Sequence, residues 1–129
     1  MGQNEREMRI HSVGETLNEW IIYLEELNGG RTLPVWIGAS DGELLALRLS
    51  TTVLQRPLTH DLLISAVNAL GATVHKVVIS DLKDNTYYAR LVLKKGDEAL
   101  HLDARTVDAI MVAAIAACPI YVEENLLEQ

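Results

Sequence analysis

The sequence predicts an α+β domain in which helices pack on mixed β-sheets. Segments with the two-residue alternation of strands are interleaved with segments that have the apolar spacing of helices. Short turn sequences rich in Asn, Asp and Gly separate them. The chain has 129 residues, of which 49% are hydrophobic and 22% are charged. This composition is sufficient for one buried core, so residues 1–129 are predicted to form a single domain with flexible ends at 1–7 and 124–129.

The first half of the chain is predicted to contain three strands followed by two helices. In order, these are strands at residues 8–13, 19–27 and 32–37 and helices at 41–50 and 59–70. Ser40 and Glu43 have the spacing of a capping box, which predicts the start of the first helix. Thr59 is predicted to cap the second helix, with Asp61 in its first turn and Gly71 after its end.

The second half is predicted to contain three further strands, a helix and a short last strand. In order, these are strands at residues 74–79, 87–93 and 100–102, a helix at 106–117 and a strand at 119–122. Asp84-Asn85 has the composition of a tight hairpin turn. The helix is apolar on nearly all sides apart from Asp108, so we expect other elements to cover it on more than one side. Residues 123–129 are expected to form a frayed helical turn.

The two halves share the order strand, strand, strand, helix, which indicates an internal duplication. The second copy can be placed on the first at an offset of about 65 positions, mainly on hydrophobic pattern. In this register Ile37 aligns with Leu102, and Glu43 aligns with Asp108. Each copy would then carry an acidic side chain in the first turn of its helix.

The charge and the cysteine content argue against a strongly basic nucleic-acid-binding protein and against a disulfide-bonded one. The 18 acidic and 11 basic residues give a net charge of −7, which opposes long-range attraction to nucleic-acid phosphates. A nucleic-acid substrate would therefore need a local basic patch or a divalent cation. The single cysteine, Cys118, excludes an internal disulfide and is expected to be buried and unreactive. The polar first residues and the lack of a long apolar run predict a cytoplasmic protein that does not enter a membrane.

Four segments carry polar residues at predicted helix starts and strand ends. They are LPVWIG at 33–38, RPLTHDLL at 56–63, DLKD at 81–84 and DARTVDAI at 103–110. In their order and spacing, over roughly residues 8–124, they resemble the bifunctional nuclease domain family. The resemblance implies an α+β fold, assembly into oligomers and, from plant members of the family, cleavage of both DNA and RNA. The family pattern usually continues Asp-Ala-Arg with Pro-Ser, whereas Thr106-Val107 follows here and the rigid proline at the helix start is missing.

The polar residues of these segments include the groups that phosphodiester hydrolysis needs. Carboxylates can hold Mg²⁺ or Mn²⁺, which activates water and stabilises the charge of the transition state. The predicted metal ligands are Asp81, Asp103, Asp108 and Glu43. His60 is predicted as a general acid or base, and Lys83 and Arg105 as phosphate ligands, with Asp103 and Asp108 completing the predicted catalytic group. The leading hypothesis is a metal-dependent nuclease acting on DNA, RNA or both, whose carboxylates and a basic side chain gather at one open cleft.

Each of these residues also has a structural interpretation. The capping box explains Glu43, and His60 fits a solvated or hydrogen-bonded position at the start of its helix. An ion pair of Arg105 with Asp103 or Asp108 would stabilise the corner between strand and helix. The alternative hypothesis is a non-catalytic oligomeric module that binds a partner protein or a small ligand, and the negative net charge favours it.

A homo-oligomer, either a dimer or a trimer, is expected on two grounds. The family resemblance implies it. The aliphatic residues of the short strand at 119–122 would also need a neighbour to cover them.

Overall fold

The computed structural model describes residues 4–50 and 53–127 of the chain. Its elements, in chain order, are β1 (Glu5–Glu15), β2 (Trp20–Glu26), β3 (Thr32–Ile37), α1 (Ala39–Leu49), α2 (Thr59–Ala69), β4 (Thr73–Lys83), β5 (Thr86–Lys95), β6 (Glu98–Arg105), α3 (Thr106–Ala116), β7 (Ile120–Glu123) and α4 (Glu124–Leu127). Each predicted strand and helix overlaps one of these elements, and the α+β class is confirmed. Residues 1–3, 128 and 129, within the ends predicted to be flexible, lie outside the described residues.

The described strands form one mixed sheet rather than several. Their order is β3-β2-β1-β7-β4-β5-β6. Neighbouring strands run antiparallel, except for the parallel pair of β4 and β7. β7 therefore lies at the centre, with β1, β2 and β3 on one side and β4, β5 and β6 on the other. The internal duplication remains a prediction.

Strand pairing continues beyond the apolar segments that identified the strands. β4 runs on to Lys83, and β6 runs on to Arg105. Asp81 and Asp103 consequently lie within paired strands and not in loops. Backbone hydrogen bonds to a neighbouring strand are independent of side-chain polarity, so outward-facing polar residues can extend a strand that hydrophobic pattern alone would end.

The hairpin between β4 and β5 has the tight turn that the sequence predicted. Asp84 and Asn85 have φ angles of 52° and 62°, in the left-handed region that Asp and Asn tolerate. Two successive left-handed residues match the twist of the flanking strands in a two-residue hairpin. The turn places Lys83 opposite Thr86 and sets the pairing as far as Asp81, beyond which the register shifts.

The predicted capping box of α1 is wrong. The helix begins at Ala39 with Gly38 at the N-cap, so Ser40 is already inside the helix. The acidic residue in the first turn is Asp41, and Glu43 is exposed two positions further on.

The start of α1 is close-packed against β2. Gly42 is buried, and a Cβ atom at this position would collide with the ring of Trp20. Glycine therefore allows the helix to approach the strand, at the cost of the lower helix propensity of glycine.

The N-cap of α2 is displaced by one residue from the prediction. Leu58 occupies the N-cap, and Thr59 is the first helical residue. Asp61 supplies the capping interaction, because its Oδ2 accepts a hydrogen bond from the backbone N–H of Leu58 at 3.0 Å. The same carboxylate pairs with Arg48 of α1. After the helix, Gly71 has a φ of 89°, which confirms its predicted role as the terminating residue.

The core is built around α3. This helix contacts β4, β5 and β6 as well as α1 and α2, which confirms the expectation that it is covered on several sides. Its residues from 106 to 113 are buried, apart from Asp108. The largest fully buried side chains are those of Ile22, Leu24, Leu45, Val77, Val78, Ile79, Ile110, Met111, Val112 and Val122.

The last strand and helix are integral to the fold. β7 pairs with both β1 and β4, and Ile120 and Val122 are buried. The expectation that this strand needs a partner molecule to cover it is wrong, because the covering strands come from the same chain. Leu126 and Leu127 of α4 are also buried, and residues 5–7 of β1 pair with β7. These parts of the ends predicted to be flexible are thus packed against the sheet.

A cluster of ion pairs attaches α4 to the turn between β2 and β3. Arg31 binds Glu124 through Nη1 at 2.6 Å and the buried Glu26 through Nη2 at 2.8 Å. Arg6 also donates to Glu124, at 2.6 Å. The hydrogen bonds from Arg31 and Arg6 lower the pKa of Glu124 to about 2.

The helices are short. α1, α2 and α3 each contain 11 residues. Among residues 4–50 and 53–127, no helix has the length and apolar character to cross a membrane.

Candidate functional site

A cleft of about 400 Å³ opens where the two edges of the sheet approach each other. One wall consists of the end of β3 and the start of α1, and the other of β5, β6 and the start of α3. Because β3 and β6 are opposite edges of one sheet, the sheet must curve to bring both to the same cleft. The polar and aromatic residues of the lining are Trp36, Asp41, Asn85, Thr86, Tyr87, Tyr88, Asp103, Arg105 and Thr106.

Arg105 contacts carboxylates on both walls of this cleft. Its Nε donates to Oδ2 of Asp108 at 2.7 Å, and its Nη2 donates to Oδ1 of the same carboxylate at 3.1 Å. Across the cleft, Nη1 and Nη2 approach the oxygens of Asp41 at 3.3 and 3.4 Å. Asp41 and Asp108 are each the third residue of their helix. The interaction with Asp108 is short and bidentate, whereas the interaction with Asp41 is long and weak.

The electrostatics of this group favour ionised side chains. The hydrogen bond from Arg105 holds the pKa of Asp108 below its usual range. In return, the carboxylate of Asp108 raises the pKa of the guanidinium above its already high value. The Arg105 side chain is nevertheless 64% exposed, and a guanidinium has five N–H donors. It can therefore bind a further anion in the cleft while it stays attached to Asp108.

His60 lies behind Asp108 and away from the cleft lining. Its Nε2 is 2.8 Å from Oδ1 of Asp108. An ionised carboxylate can only accept, so Nε2 carries the proton of this hydrogen bond. The other ring nitrogen, Nδ1, is buried and has no hydrogen-bond partner in the described part of the chain. The small space that the ring lines is otherwise bounded by apolar side chains and by the Arg48–Asp61 pair.

Three of the predicted site residues, Asp81, Asp103 and Arg105, project from one face of the β4–β5–β6 part of the sheet. Asp81 of β4 pairs with Tyr88 of β5, and Tyr88 pairs with Arg105 of β6. Residues directly opposite each other on paired strands point to the same face. Asp103 lies two residues before Arg105 and therefore shares its face.

Lys83 reaches the same region from the end of β4. Its Nζ lies 5.6 Å from the centroid of the Tyr88 ring, within the range of a cation–π contact. Lys83 and Arg105 thus lie on either side of Tyr88 and provide two positive charges next to the cleft.

The predicted metal ligands do not converge. Within residues 4–50 and 53–127, no group of three or more His, Cys, Asp or Glu side chains is arranged to hold a metal ion. Asp81 lies two strands from Asp103, a separation of about 10 Å across the sheet, and lines a different depression together with Glu123. Asp108 is occupied by Arg105 and His60, and Glu43 is exposed on α1. The described residues do not fit a metal site built from protein ligands alone.

The sequence patterns missed the aromatic residues and Asp41 as members of the site. Trp36 lies between two inward-facing residues of an edge strand, so its large side chain points outward and is 56% exposed. Tyr88 follows a hairpin turn and is 44% exposed. An exposed aromatic residue at an outward strand position is a signal that the sequence alone contains. Asp41 was missed because α1 begins at Ala39, two residues before the predicted start at residue 41. The third residue of the helix is therefore Asp41 and not Glu43.

The family model of the bifunctional nuclease domain matches residues 22–129, which include all the residues of the cleft. The chain belongs to the bifunctional nuclease domain family. This bifunctional nuclease domain is also similar to two proteins of Mycobacterium tuberculosis, the uncharacterized protein MT1877 of strain CDC 1551 / Oshkosh and the uncharacterized protein Rv1829 of strain ATCC 25618 / H37Rv. Each is 39% identical over 117 residues, which cover 91% of this chain and 70% of the relative.

Proposed function

We propose that this bifunctional nuclease domain hydrolyses phosphodiester bonds of DNA, RNA or both in the cleft beside Arg105. The observation that carries the proposal is the exposed guanidinium of Arg105, which lines the cleft and is oriented by a bidentate interaction with Asp108 at 2.7 and 3.1 Å. A guanidinium is suited to bind a phosphate through two oxygens and to stabilise the negative charge that develops during hydrolysis. The family supports the same substrate class.

The other candidate residues have distinct roles in this proposal. Asp103 shares the cleft and the strand face of Arg105, where it accepts a proton from the attacking water. Lys83 provides a second positive charge for an adjacent phosphate. Asp108 orients Arg105, and His60 orients Asp108, because the free nitrogen of His60 faces the interior and not the cleft. His60 is therefore a positioning residue in our proposal.

Mg²⁺ or Mn²⁺ would bind in this cleft together with the substrate, since the carboxylates of the described residues alone do not form a metal site. Magnesium is commonly held by one or two carboxylates together with substrate phosphates. Asp41 and Asp103 both line the cleft, whereas Asp81 and Glu43 lie outside its lining. An assay with and without divalent ions addresses the dependence directly.

A second candidate function, the non-catalytic oligomeric module, is favoured by the surface of α2. No residue of this helix is buried. Leu62 is 63% exposed and Leu70 is 74% exposed, and with Ala66 they are spaced four residues apart on one helix face. We propose that this face joins copies of the chain into a dimer or trimer. Assembly is compatible with the nuclease activity and does not require it.

We place the protein in the cytoplasm as part of the same proposal. Cys118 is half-buried, and burial raises the pKa of its thiol, which favours the unreactive protonated form. A single unpaired thiol of this kind is typical of a reducing compartment. Fractionation of cells that express a tagged full-length protein would test the location.

The test of the nuclease proposal is cleavage by highly purified protein. Single-stranded DNA, double-stranded DNA and RNA are each incubated with Mg²⁺, with Mn²⁺ and with chelator. The variants are Arg105→Ala, Asp103→Asn and Asp108→Asn, and circular dichroism verifies that each remains folded. Arg9→Ala is the matched control, because Arg9 is an exposed arginine that pairs with a glutamate outside the cleft. Cleavage that is lost in the three folded variants and retained in the control supports the proposal. Equal cleavage by all proteins would indicate contamination, and no cleavage would leave the binding module as the better description.

A further inference from the structure

Two exposed aromatic side chains face the cleft from its opposite walls. Trp36 belongs to β3 and Tyr88 to β5, and both line the cleft. Each ring keeps about half of its surface in contact with solvent, although both belong to an otherwise well-packed sheet. Exposed aromatic surface of this kind, concentrated at one cleft, marks a binding site more often than a structural feature.

The position of Tyr88 relates this aromatic surface to the proposed phosphate site. Tyr88 is the direct cross-strand partner of Arg105, and Lys83 lies 5.6 Å from the centroid of its ring. A planar group that stacks on Tyr88 would therefore lie next to two cationic side chains. A nucleotide has this combination, since its sugar joins a planar base to a phosphate.

We infer that Trp36 and Tyr88 form a stacking subsite for an unpaired nucleobase, so that the cleft selects single-stranded over double-stranded nucleic acid. The inference rests on the proposed function and specifies its substrate class. In a duplex, the faces of each base are covered by its neighbours in the stack. Only an unpaired base can place its face against a protein ring, and base–aromatic stacking of this kind tolerates any base sequence. The volume of about 400 Å³ suits a single small ligand, at the lower end of the range for ligand pockets.

The overall charge supports the same substrate. With a net charge of −7, phosphate attraction alone is a weak source of affinity for this protein. Stacking adds affinity that does not depend on net charge. It should therefore provide a larger share of binding here than in a basic nucleic-acid-binding protein.

The test measures binding without cleavage. Fluorescence anisotropy is recorded in chelator with a labelled oligothymidylate of about ten nucleotides, with the same length of abasic phosphodiester chain, and with a duplex of equal length. The proteins are wild type, Trp36→Ala, Trp36→Phe, Tyr88→Ala and the control Tyr121→Ala. Tyr121 has a lysine, Lys76, 5.1 Å from its ring centroid, as Tyr88 has, but lies outside the cleft.

We expect the alanine variants in the cleft to lose affinity for the oligothymidylate but not for the abasic chain. Trp36→Ala and Tyr88→Ala should each weaken oligothymidylate binding about tenfold, while the control Tyr121→Ala stays near wild type. Trp36→Phe, which keeps an aromatic face, should lose less affinity than Trp36→Ala. The two alanine variants should bind the abasic chain as the wild type does, because only the base contact has been removed. The inference would be overturned if Trp36→Ala bound the oligothymidylate as tightly as the wild type does, or if the wild type bound the oligothymidylate and the abasic chain equally. It would also be overturned if the wild type preferred the duplex or bound none of the probes.

The outcome is separable from that of the proposed hydrolysis. Selective binding of the single strand without cleavage under any metal condition would contradict the nuclease proposal and leave the stacking subsite in place. Cleavage that depends on Arg105, together with binding that does not change in the Trp36 and Tyr88 variants, would support the nuclease proposal and contradict the stacking subsite.

Discussion

Nε of Arg105 lies 2.7 Å from Oδ2 of Asp108, three residues further along the chain. The pair spans the junction of β6 and α3 and is one of the two structural ion pairs that the sequence made plausible. It also turns the remaining donors of Arg105 towards the cleft and towards Asp41. The structural and functional interpretations of Arg105 are therefore compatible, because the same hydrogen bonds that stabilise the corner orient the guanidinium.

Two replacements of Arg105 should distinguish the contribution of its charge to the cleavage rate from that of its bidentate geometry. Arg105→Ala is expected to lower the cleavage rate by about a hundredfold or more, the usual effect of removing a group that stabilises transition-state charge. Arg105→Lys keeps the charge but loses the bidentate geometry, so it should recover only part of the activity. The measurement is the initial rate of cleavage at saturating substrate. Activity in Arg105→Ala equal to that of the Arg9→Ala control would exclude Arg105 from the reaction.

Neutralising Asp41 and neutralising Asp108 should change the affinity for an oligonucleotide in opposite directions. Asp41→Asn removes a negative charge that competes with substrate phosphate for the guanidinium, so affinity for an oligonucleotide should increase roughly two- to fivefold. Asp108→Asn removes the short interactions with both Arg105 and His60, so affinity should fall. Titration by fluorescence anisotropy at low ionic strength distinguishes the two. A decrease in affinity in both variants would mean that Asp41 supports binding instead of competing with it.

The ion pairs of Glu124 predict a loss of stability in acid. The pKa of Glu124 falls from 4.5 to about 2 in the folded protein, chiefly through hydrogen bonds from Arg31 and Arg6. A lowered folded-state pKa stabilises the fold above the unfolded value of 4.5, and this contribution is lost as the pH falls towards 2. Urea unfolding at several pH values should therefore show a smaller decrease over this window in Glu124→Gln than in wild type. Parallel pH profiles for the two proteins would show that Glu124 does not contribute.

Two glycines at the start of α1 form a matched pair for a packing test. Gly42→Ala should lower the free energy of unfolding by about 1–3 kcal/mol, because the new methyl group collides with the Trp20 ring. Gly38→Ala should change it by less than about 1 kcal/mol, since nothing lies within 4 Å of the added Cβ and the φ of −73° suits any residue. Thermal or urea unfolding measures both. A loss in Gly38→Ala as large as that in Gly42→Ala would contradict the packing explanation.

The exposed face of α2 predicts the effect of charge on assembly. Leu62→Glu combined with Leu70→Glu should convert an oligomer to monomers without unfolding it, because both side chains are exposed within one chain. Leu17→Glu is the control, since Leu17 is fully exposed in the turn between β1 and β2. Light scattering coupled to size-exclusion chromatography gives the masses. A monomeric wild type at moderate concentration, or an unchanged oligomer in the double variant, would exclude this face as the interface.

Local patterns were sufficient for the elements and for much of the site. Alternation identified all the strands found in the described residues, and the apolar character of α3 predicted its central position. The DARTVDAI segment identified Arg105 and Asp108, which do form an ion pair. These features depend on residues that are close in sequence, so periodicity and spacing contain the necessary information.

The error at the start of α1 has a tertiary cause. Ser40 was predicted as a cap because its side chain is suited to it, but packing of Gly42 against Trp20 sets the position of α1. As a result Asp41, and not Glu43, reaches Arg105. Tertiary contact outweighed capping preference, which is the smaller of the two effects.

The sequence by itself determined the α+β class, the strands and helices, and the acidic and basic groups available for chemistry. Only the tertiary structure decided that β3 and β6, the opposite edges of the sheet, meet at one cleft, and that Trp36, Tyr88 and Arg105 line it together. It also decided that His60 lies behind Asp108 and that Asp81 lies outside the cleft lining. The physical reason is that strand order and sheet curvature follow from contacts between residues far apart in the chain, and no local periodicity encodes those distances.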